Sequence, residues 1–384
     1  MTLPTRATHE APGEPHPIRV MIVDDSAVIR GVETRILEAE PDVKVVASVS
    51  NAQLALNQLA RTPVDVMILD IEMPVLDGLS ALPKIRQIAP QTKVIMASTL
   101  TTRGGEISLE ALRLGAIDFV PKPTVGSIFG AEDFKRELVN KVTALGRVRL
   151  PGAPVAPATG PQAHGSAPRP PLPTLPALCG PPPKLRPASG VVPTIIGIGS
   201  STGGPQALQT TLAALPASMQ LPIVIVQHMP PTFTRLLADQ IARATGRPAC
   251  EGVDGMPLAP GRIYVAPGGS HMCVERHDGH GVIRLNTNPP ENFCRPAVDP
   301  LFRSLALAYG SSALVLVLTG MGSDGARGAE AVAHAGGTVL AQDEATSVVW
   351  GMPGAAAATG MVSALLPLGE IGQRLGDYAA GRAR

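Results

Sequence analysis

The sequence predicts an α/β protein: a doubly wound N-terminal domain, a proline-rich linker, and a second α/β domain with a parallel-rich sheet. Three observations predict it. Short β-type apolar runs alternate with helical spacing in both halves of the chain, as in parallel sheets covered by helices. Chemically useful polar residues follow those runs directly, where such sheets place their ligand sites. Between the halves, from Pro151 to Pro193, roughly one-third of the residues are proline and apolar periodicity is almost absent.

The elements follow in order. Met1 to Pro17 mixes Thr, Glu, His and Pro without an apolar run, and reads as a loose tail, not a signal peptide. Arg19–Val23, Val43–Val49, Val64–Leu69 and Lys93–Ala97 are expected strands, with helices over Ala27–Glu38 and Ala52–Ala60. The proline-rich stretch buries too little to offset its ordering entropy, so it is expected to be an extended tether. A docking motif for a polyproline-reading partner is the other reading of it. Beyond it, Thr194–Gly199, Pro222–Gln227, Ile263–Ala266, Ala313–Thr319 and Thr338–Gln342 are expected strands, and Arg235–Ala244 and Val298–Tyr309 helices. Met272–Leu285, with HDGHG at its centre, is expected to be an inserted hairpin. The expected boundaries are a tail at 1–17, a first domain at 18–145, a linker at 146–192 and a second domain at 193–384.

Composition narrows the function classes. The 384 residues, 45% hydrophobic and 16% charged, fit two globular domains. A formal net charge of +1 gives no field for gripping nucleic acid or an anionic membrane. The four cysteines, Cys179, Cys250, Cys273 and Cys294, lack metal-type spacing and read as free thiols. No apolar run approaches the roughly 18 residues that span a bilayer, so a cytoplasmic location is expected.

In the first half, Asp24 and Asp25 follow RVMIV, Asp70 follows VMIL, Ser98 follows VIMA, and Lys122 follows DFVP. Any one of these groups alone reads as a turn residue or helix cap. Together at matching strand ends they place three carboxylates, a hydroxyl and an ammonium in one pocket. Carboxylates so close repel unless a cation such as Mg²⁺ neutralises them, and one of them is then suited to accept a phosphoryl group. VDDS (Val23–Ser26), LDIEMPVLDG (Leu69–Gly78) and PKP (Pro121–Pro123) resemble the receiver domains of response regulators. That resemblance implies Asp70 as phospho-acceptor. It implies Mg²⁺ on Asp24, Asp25, Asp70 and the carbonyl of Glu72, with Ser98, Phe119 and Lys122 as switch residues. It also implies a cis bond between Lys122 and Pro123.

In the second half, Gly199-Ser200-Ser201-Thr202-Gly203 contains G-x-S-x-G centred on Ser201, between a strand and a helix. Taken alone, it also suits a Gly/Ser turn without chemistry. His228 and Asp324 follow other apolar strands on the same expected edge, and a serine nucleophile needs such a base and carboxylate. His228 is otherwise a structural histidine. His9, His16, His164, His271, His277, His280 and His334 lie in the tail, linker, loops, hairpin turn or a helix. The order Ser…His…Asp is not that of α/β-hydrolases.

The segments IGIGSSTGGP, VQHMPPTFT, APGG, RPAVDPLF, LTGMGSDGA and QDEATSVVWGMP resemble the catalytic domain of chemotaxis protein-glutamate methylesterases (the CheB family). Ser200 stands where that family usually has alanine, and Ser323 where it has asparagine. The resemblance implies Ser201 as nucleophile, His228 as base then acid, and Asp324 as the orienting carboxylate. Amides around Thr202 and Met321 are the expected oxyanion donors. The implied reaction is phosphorylation-activated hydrolysis of glutamate γ-methyl esters on methyl-accepting chemotaxis receptors, with glutamine deamidation, and it needs no cofactor for the ester step. A chemotaxis histidine kinase is the implied phosphoryl source. The rival is a non-catalytic response regulator that acts by docking a partner.

Overall fold

The computed structural model describes residues 16–98, 101–122, 128–148 and 183–382. The first unit alternates β1 (Ile18–Val23), α1 (Ala27–Glu38), β2 (Val43–Val49), α2 (Ala52–Leu59), β3 (Val66–Asp70), α3 (Gly78–Ile88), β4 (Lys93–Ser98), α4 (Thr102–Arg113), β5 (Asp118–Pro121) and α5 (Ile128–Gly146). Its five strands lie in the order β2-β1-β3-β4-β5, all parallel. Every residue of β3 and β4 is buried, which is why these strands read as unbroken apolar runs. Ser26, Asn51 and Asp77 cap the helices that follow them, each accepting a hydrogen bond from the first turn.

The second unit contains β6 (Ile195–Ser200), α6 (Gly204–Ala213), β7 (Ile223–Gln227), α7 (Phe233–Thr245), β8 (Ala249–Glu251), β9 (Ile263–Val265), β10 (His271–His277), β11 (His280–Asn286), α8 (Val298–Tyr309), β12 (Ala313–Val317), α9 (Ala326–His334), β13 (Thr338–Gln342), α10 (Met352–Ala358), β14 (Ala364–Leu366) and α11 (Leu368–Ala379). Seven strands form a parallel sheet in the order β14-β13-β12-β6-β7-β9-β8. The expected insertion is an antiparallel β10–β11 hairpin, with Asp278 and Gly279 both at positive φ in its turn. β6, β7, β12 and β13 are fully buried, and each covered Val, Leu or Ile contributes about 1.5–3 kcal/mol.

One boundary differs from expectation. The chain joins the second unit before residue 193: Arg186 N donates to Val362 O (3.0 Å), and Ser189 N to Thr338 Oγ1 (3.0 Å). These bonds satisfy polar groups at the margin of the sheet, so proline content alone marked the linker as too long. The remaining linker residues, 149–182, lie outside the described residues, as does Pro123 with the expected cis bond.

The units pack against each other. Phe119 of β5 stacks on Phe233 of α7, with ring centroids 4.6 Å apart. Gln206 Nε2 donates to Leu112 O (3.1 Å) and Ala116 O (2.8 Å), and Thr202 Oγ1 to Asp118 Oδ2 (2.7 Å). Phe134 and Leu138 of α5 share an apolar cluster with Val349, Val348 and Met321. Among the described residues no helix is long and apolar enough to cross a membrane.

Candidate functional sites

The carboxyl edge of the first sheet carries the expected pocket, of about 270 Å³, lined by Asp25, Asp70, Glu72, Ser98 and Lys122 among others. Carboxylate oxygens of Asp24, Asp25 and Asp70 lie within 4.8 Å of one another. Lys122 Nζ reaches Asp24 Oδ2 (2.6 Å) and Asp70 Oδ1 (2.7 Å). Burial pushes the Asp70 carboxyl above its ordinary range, against the pull of Lys122. Burial also opposes the charge on Lys122, but hydrogen bonds to the two carboxylates raise its pKa. Crowded, partly exposed oxygen donors of this kind suit a hard divalent cation. Ser98, buried at the rim, donates to Gly104 O (3.2 Å). Phe119 is buried as well.

Beneath this pocket lies a group that the sequence reading missed. Glu33 of α1 is fully buried, and neither carboxylate oxygen has a hydrogen-bond partner. Burial and the Asp24 charge push its pKa up to about 8. Its helical position predicts burial by period, where an apolar residue is the ordinary occupant.

The carboxyl edge of the second sheet brings together Ser201 after β6, His228 after β7 and Asp324 beyond β12. All three line a cavity of about 480 Å³. A larger groove of about 960 Å³ beside Gln53, Asn57 and Lys84 holds no comparable set. The two glycines around Ser201 have separate reasons. A Cβ on Gly199 would come within 2.4 Å of Val298 Cγ1, so α8 needs the bare backbone there. Gly203 has φ +75°, which starts α6 from a left-handed residue.

The neighbouring hydroxyls are in different places. Ser200 is buried and donates to Gln227 Oε1 (2.7 Å). Ser201 faces the cavity, and its backbone is fixed by Thr319 O, which accepts from Ser201 N (3.1 Å), and by Gln227 Nε2, which donates to Ser201 O (3.0 Å). Among the described residues neither the Thr202 nor the Met321 amide donates a hydrogen bond within the protein.

His228 is 12% exposed, with Nε2 at 2.8 Å from Asp324 Oδ2. Asp324 also accepts from the amides of Val298 (2.6 Å), Asp299 (3.0 Å) and Gly325 (3.0 Å), and from Asn292 Nδ2 (3.0 Å). Val298 and Asp299 open α8, so the carboxylate sits at a helix N-terminus. Burial disfavours its charge, yet His228 and these amides hold its pKa below the ordinary range. Burial likewise opposes charge on His228, but Cys294 and Asp324 raise its pKa well above the ordinary histidine value. Cys294 Sγ lies 3.5 Å from His228 Nδ1. By contrast, both ring nitrogens of buried His271 meet backbone, Ala297 N and Pro289 O, in a structural role. Asn292 and Cys294 were not foreseen, because NPPENFCRP has no periodic or spacing signature. Gln227 had one: a polar residue ending a wholly apolar strand.

Asp118, Asp133, Arg136, Glu137, Asn140 and Lys141 of the first unit line the same cavity. The first unit therefore covers the second unit's site.

Residues 196–375 match the CheB methylesterase family, and residues 20–128 match the response regulator receiver domain. The protein-glutamate methylesterase/protein-glutamine glutaminase 1 of Paramagnetospirillum magneticum is 56% identical over 95% of this chain and 97% of its own length. Its namesake in Azospirillum brasilense is 53% identical over 96% of this chain and 94% of its own. Among solved structures, the Thermotoga maritima CheB methylesterase catalytic domain is 40% identical, covering 48% of this chain and 98% of its own, at TM-score 0.47.

Proposed function

Because the chain belongs to the protein-glutamate methylesterase/protein-glutamine glutaminase family, with a receiver domain, we propose that Ser201, His228 and Asp324 carry its hydrolysis. The observation that carries this reading is the convergence of the three on one cavity, with His228 Nε2 held by Asp324.

In the proposed mechanism Ser201 Oγ attacks the γ-carbonyl of a methylated glutamate and passes its proton to His228 Nδ1. Asp324 fixes the ring and favours the imidazolium that forms. The Thr202 and Met321 amides, with no acceptor among the described residues, receive the developing oxyanion, a contribution of about 10²–10³ in rate per donor elsewhere. The C–O bond breaks, methanol leaves with the proton from His228, and water reverses the steps to release glutamate. Glutamine follows the same path with ammonia as leaving group.

In the receiver, Asp70 is the proposed phosphoryl acceptor, fed by a chemotaxis histidine kinase. Asp24, Asp25 and Asp70, whose carboxylate oxygens lie close together, would hold Mg²⁺ with the Glu72 carbonyl, and the ion would neutralise the charge gathered there. Lys122 pairs with the incoming phosphoryl oxygens. Ser98, drawn toward them, leaves room for Phe119 to turn inward and away from Phe233. The receiver then leaves the cavity, and a helix of a cytoplasmic receptor region gains access. The proline-rich stretch between the two units is the proposed tether.

The test is initial methanol release from methylated receptor at equal enzyme concentrations. Full-length protein, full-length protein with phosphodonor and Mg²⁺, and a fragment starting at Pro183 are compared. The fragment starts there because Arg186 and Ser189 are bonded into the second unit. It should be faster than unphosphorylated full-length protein. A fragment no faster than its parent excludes occlusion and leaves stimulation or substrate recruitment as the receiver's role.

A further inference from the structure

The tight turn Glu291–Cys294 lies between the two units and touches both charged members of the proposed trio. Two backbone bonds close it, Glu291 N to Cys294 O (3.1 Å) and Cys294 N to Glu291 O (2.8 Å). Its central residues, Asn292 (φ 51°) and Phe293 (φ 63°), are both left-handed, a conformation that a phenylalanine rarely adopts without outside support. Asn292 donates to Asp324 Oδ1 (3.0 Å) and Asp299 Oδ2 (3.1 Å). Cys294 turns its sulfur to His228 Nδ1. Phe293, 78% exposed, carries on its ring the guanidinium of Arg136 from receiver helix α5, at 5.1 Å.

This arrangement matters because His228 has only two ring nitrogens. Nε2 is committed to Asp324, so Nδ1 must take the Ser201 proton. In the docked molecule Nδ1 faces the thiol instead, and among the described residues Ser201 Oγ makes no hydrogen bond. Whether the shared proton sits on sulfur or on nitrogen, the lone pair is withheld from Ser201.

We infer that Cys294 is a resting partner of His228: in the docked form it holds Nδ1 away from Ser201, and departure of α5 from Phe293 lets the turn release it. The inference rests on the esterase reading and adds a second brake, inside the site, to occlusion. Cys294 is thus a positioning residue, acting through His228.

The test uses full-length protein, wild type and Cys294→Ala, with and without acetyl phosphate and Mg²⁺, across pH 6 to 9. The unphosphorylated variant should release methanol roughly two- to tenfold faster than wild type, the range a modest hydrogen bond commands. Its gain from phosphodonor should shrink by the same factor. The rising limb of its pH–rate profile should move to lower pH, because the sulfur no longer favours imidazolium. A slower variant, or a faster one with an unmoved limb, overturns the inference, since loosened docking alone leaves the limb in place. Arg136→Ala should move the limb in the same direction by less.

A second readout does not need activity. Iodoacetamide labelling of Cys294 in wild-type and His228→Gln protein, mapped by mass spectrometry, should slow in the variant, because the imidazole no longer shares the thiol proton. Equal labelling in both samples overturns the pairing. Labelling that follows His228 in a protein that releases no methanol supports the pairing and overturns the esterase reading instead.

Discussion

Asp70 and Asp324 each belong to the carboxyl edge of a buried parallel sheet, yet the two carboxylates are held in opposite ways. Asp324 accepts from three amides, an asparagine and a histidine, and its pKa is depressed despite burial. Asp70 accepts one long amide bond, from Glu72 N (3.3 Å), shares Lys122 with Asp24, and its pKa is raised. A carboxylate so fully satisfied keeps a permanent charge and orients a neighbour. One that is crowded and under-satisfied is ready to gain a cation and a phosphoryl group. The contrast teaches that function divides along hydrogen-bond supply, since both domains offer the same kind of strand end.

The comparison can be broken at several points. The largest effect is expected at the nucleophile beside the satisfied carboxylate. Ser201→Ala should lower kcat by roughly 10³-fold or more. Ser200→Ala, which removes only the bond to Gln227, should change it little. Steady-state methanol release decides between the two, and a reversal of these effects would move the nucleophile by one residue.

On the under-satisfied side, Asp70→Asn should abolish acid-labile labelling by a small phosphodonor while leaving unphosphorylated esterase activity in place. Undiminished labelling would remove Asp70 as the acceptor.

Next in size is Asn292→Gly, which keeps the left-handed backbone but removes one donor from Asp324. A lost bond to a charged group predicts a roughly tenfold fall in kcat. Unchanged kcat would mean that the remaining donors suffice.

The smallest effect concerns stability alone. Glu33 carries its proton to about pH 8 when folded, against an ordinary value of 4.5. Between those limits the folded chain holds more protons than the unfolded one, so this residue's contribution to stability falls as pH rises. Glu33→Leu should therefore raise stability at pH 8 by on the order of 1–3 kcal/mol, and by less at pH 5. Denaturant midpoints at the two pH values check both the sign and the trend.

Much of this architecture is legible in the sequence alone, for definite reasons. Buried parallel strands announce themselves as apolar runs, and VMIL before Asp70 and PIVIVQ before His228 marked the strand ends that the structure has there. In G-x-S-x-G each glycine answers a hard constraint, contact with Val298 at Gly199 and φ at Gly203, so the turn was legible from its spacing. Asn292 and Cys294 escaped because an irregular turn has no period, and their partners are 32 and 66 residues away. The docking of Phe119 on Phe233 escaped for a related reason: a lone buried aromatic does not say which surface buries it. Proline content overran the linker because composition is blind to the bonds of Arg186 and Ser189.

The strand order of the second sheet also has a consequence in time. β12 inserts beside β6 although it comes late in the chain, and Asp324 lies 96 residues after His228. At ribosomal speeds of about 5–20 residues per second, that gap takes on the order of 5–20 s to synthesise. Through that interval a nascent chain has its serine and histidine but no carboxylate to hold the ring. The receiver, whose last helix ends at Gly146, is synthesised earlier still. On the proposed reading, the cover is therefore made before the trio that it covers is complete.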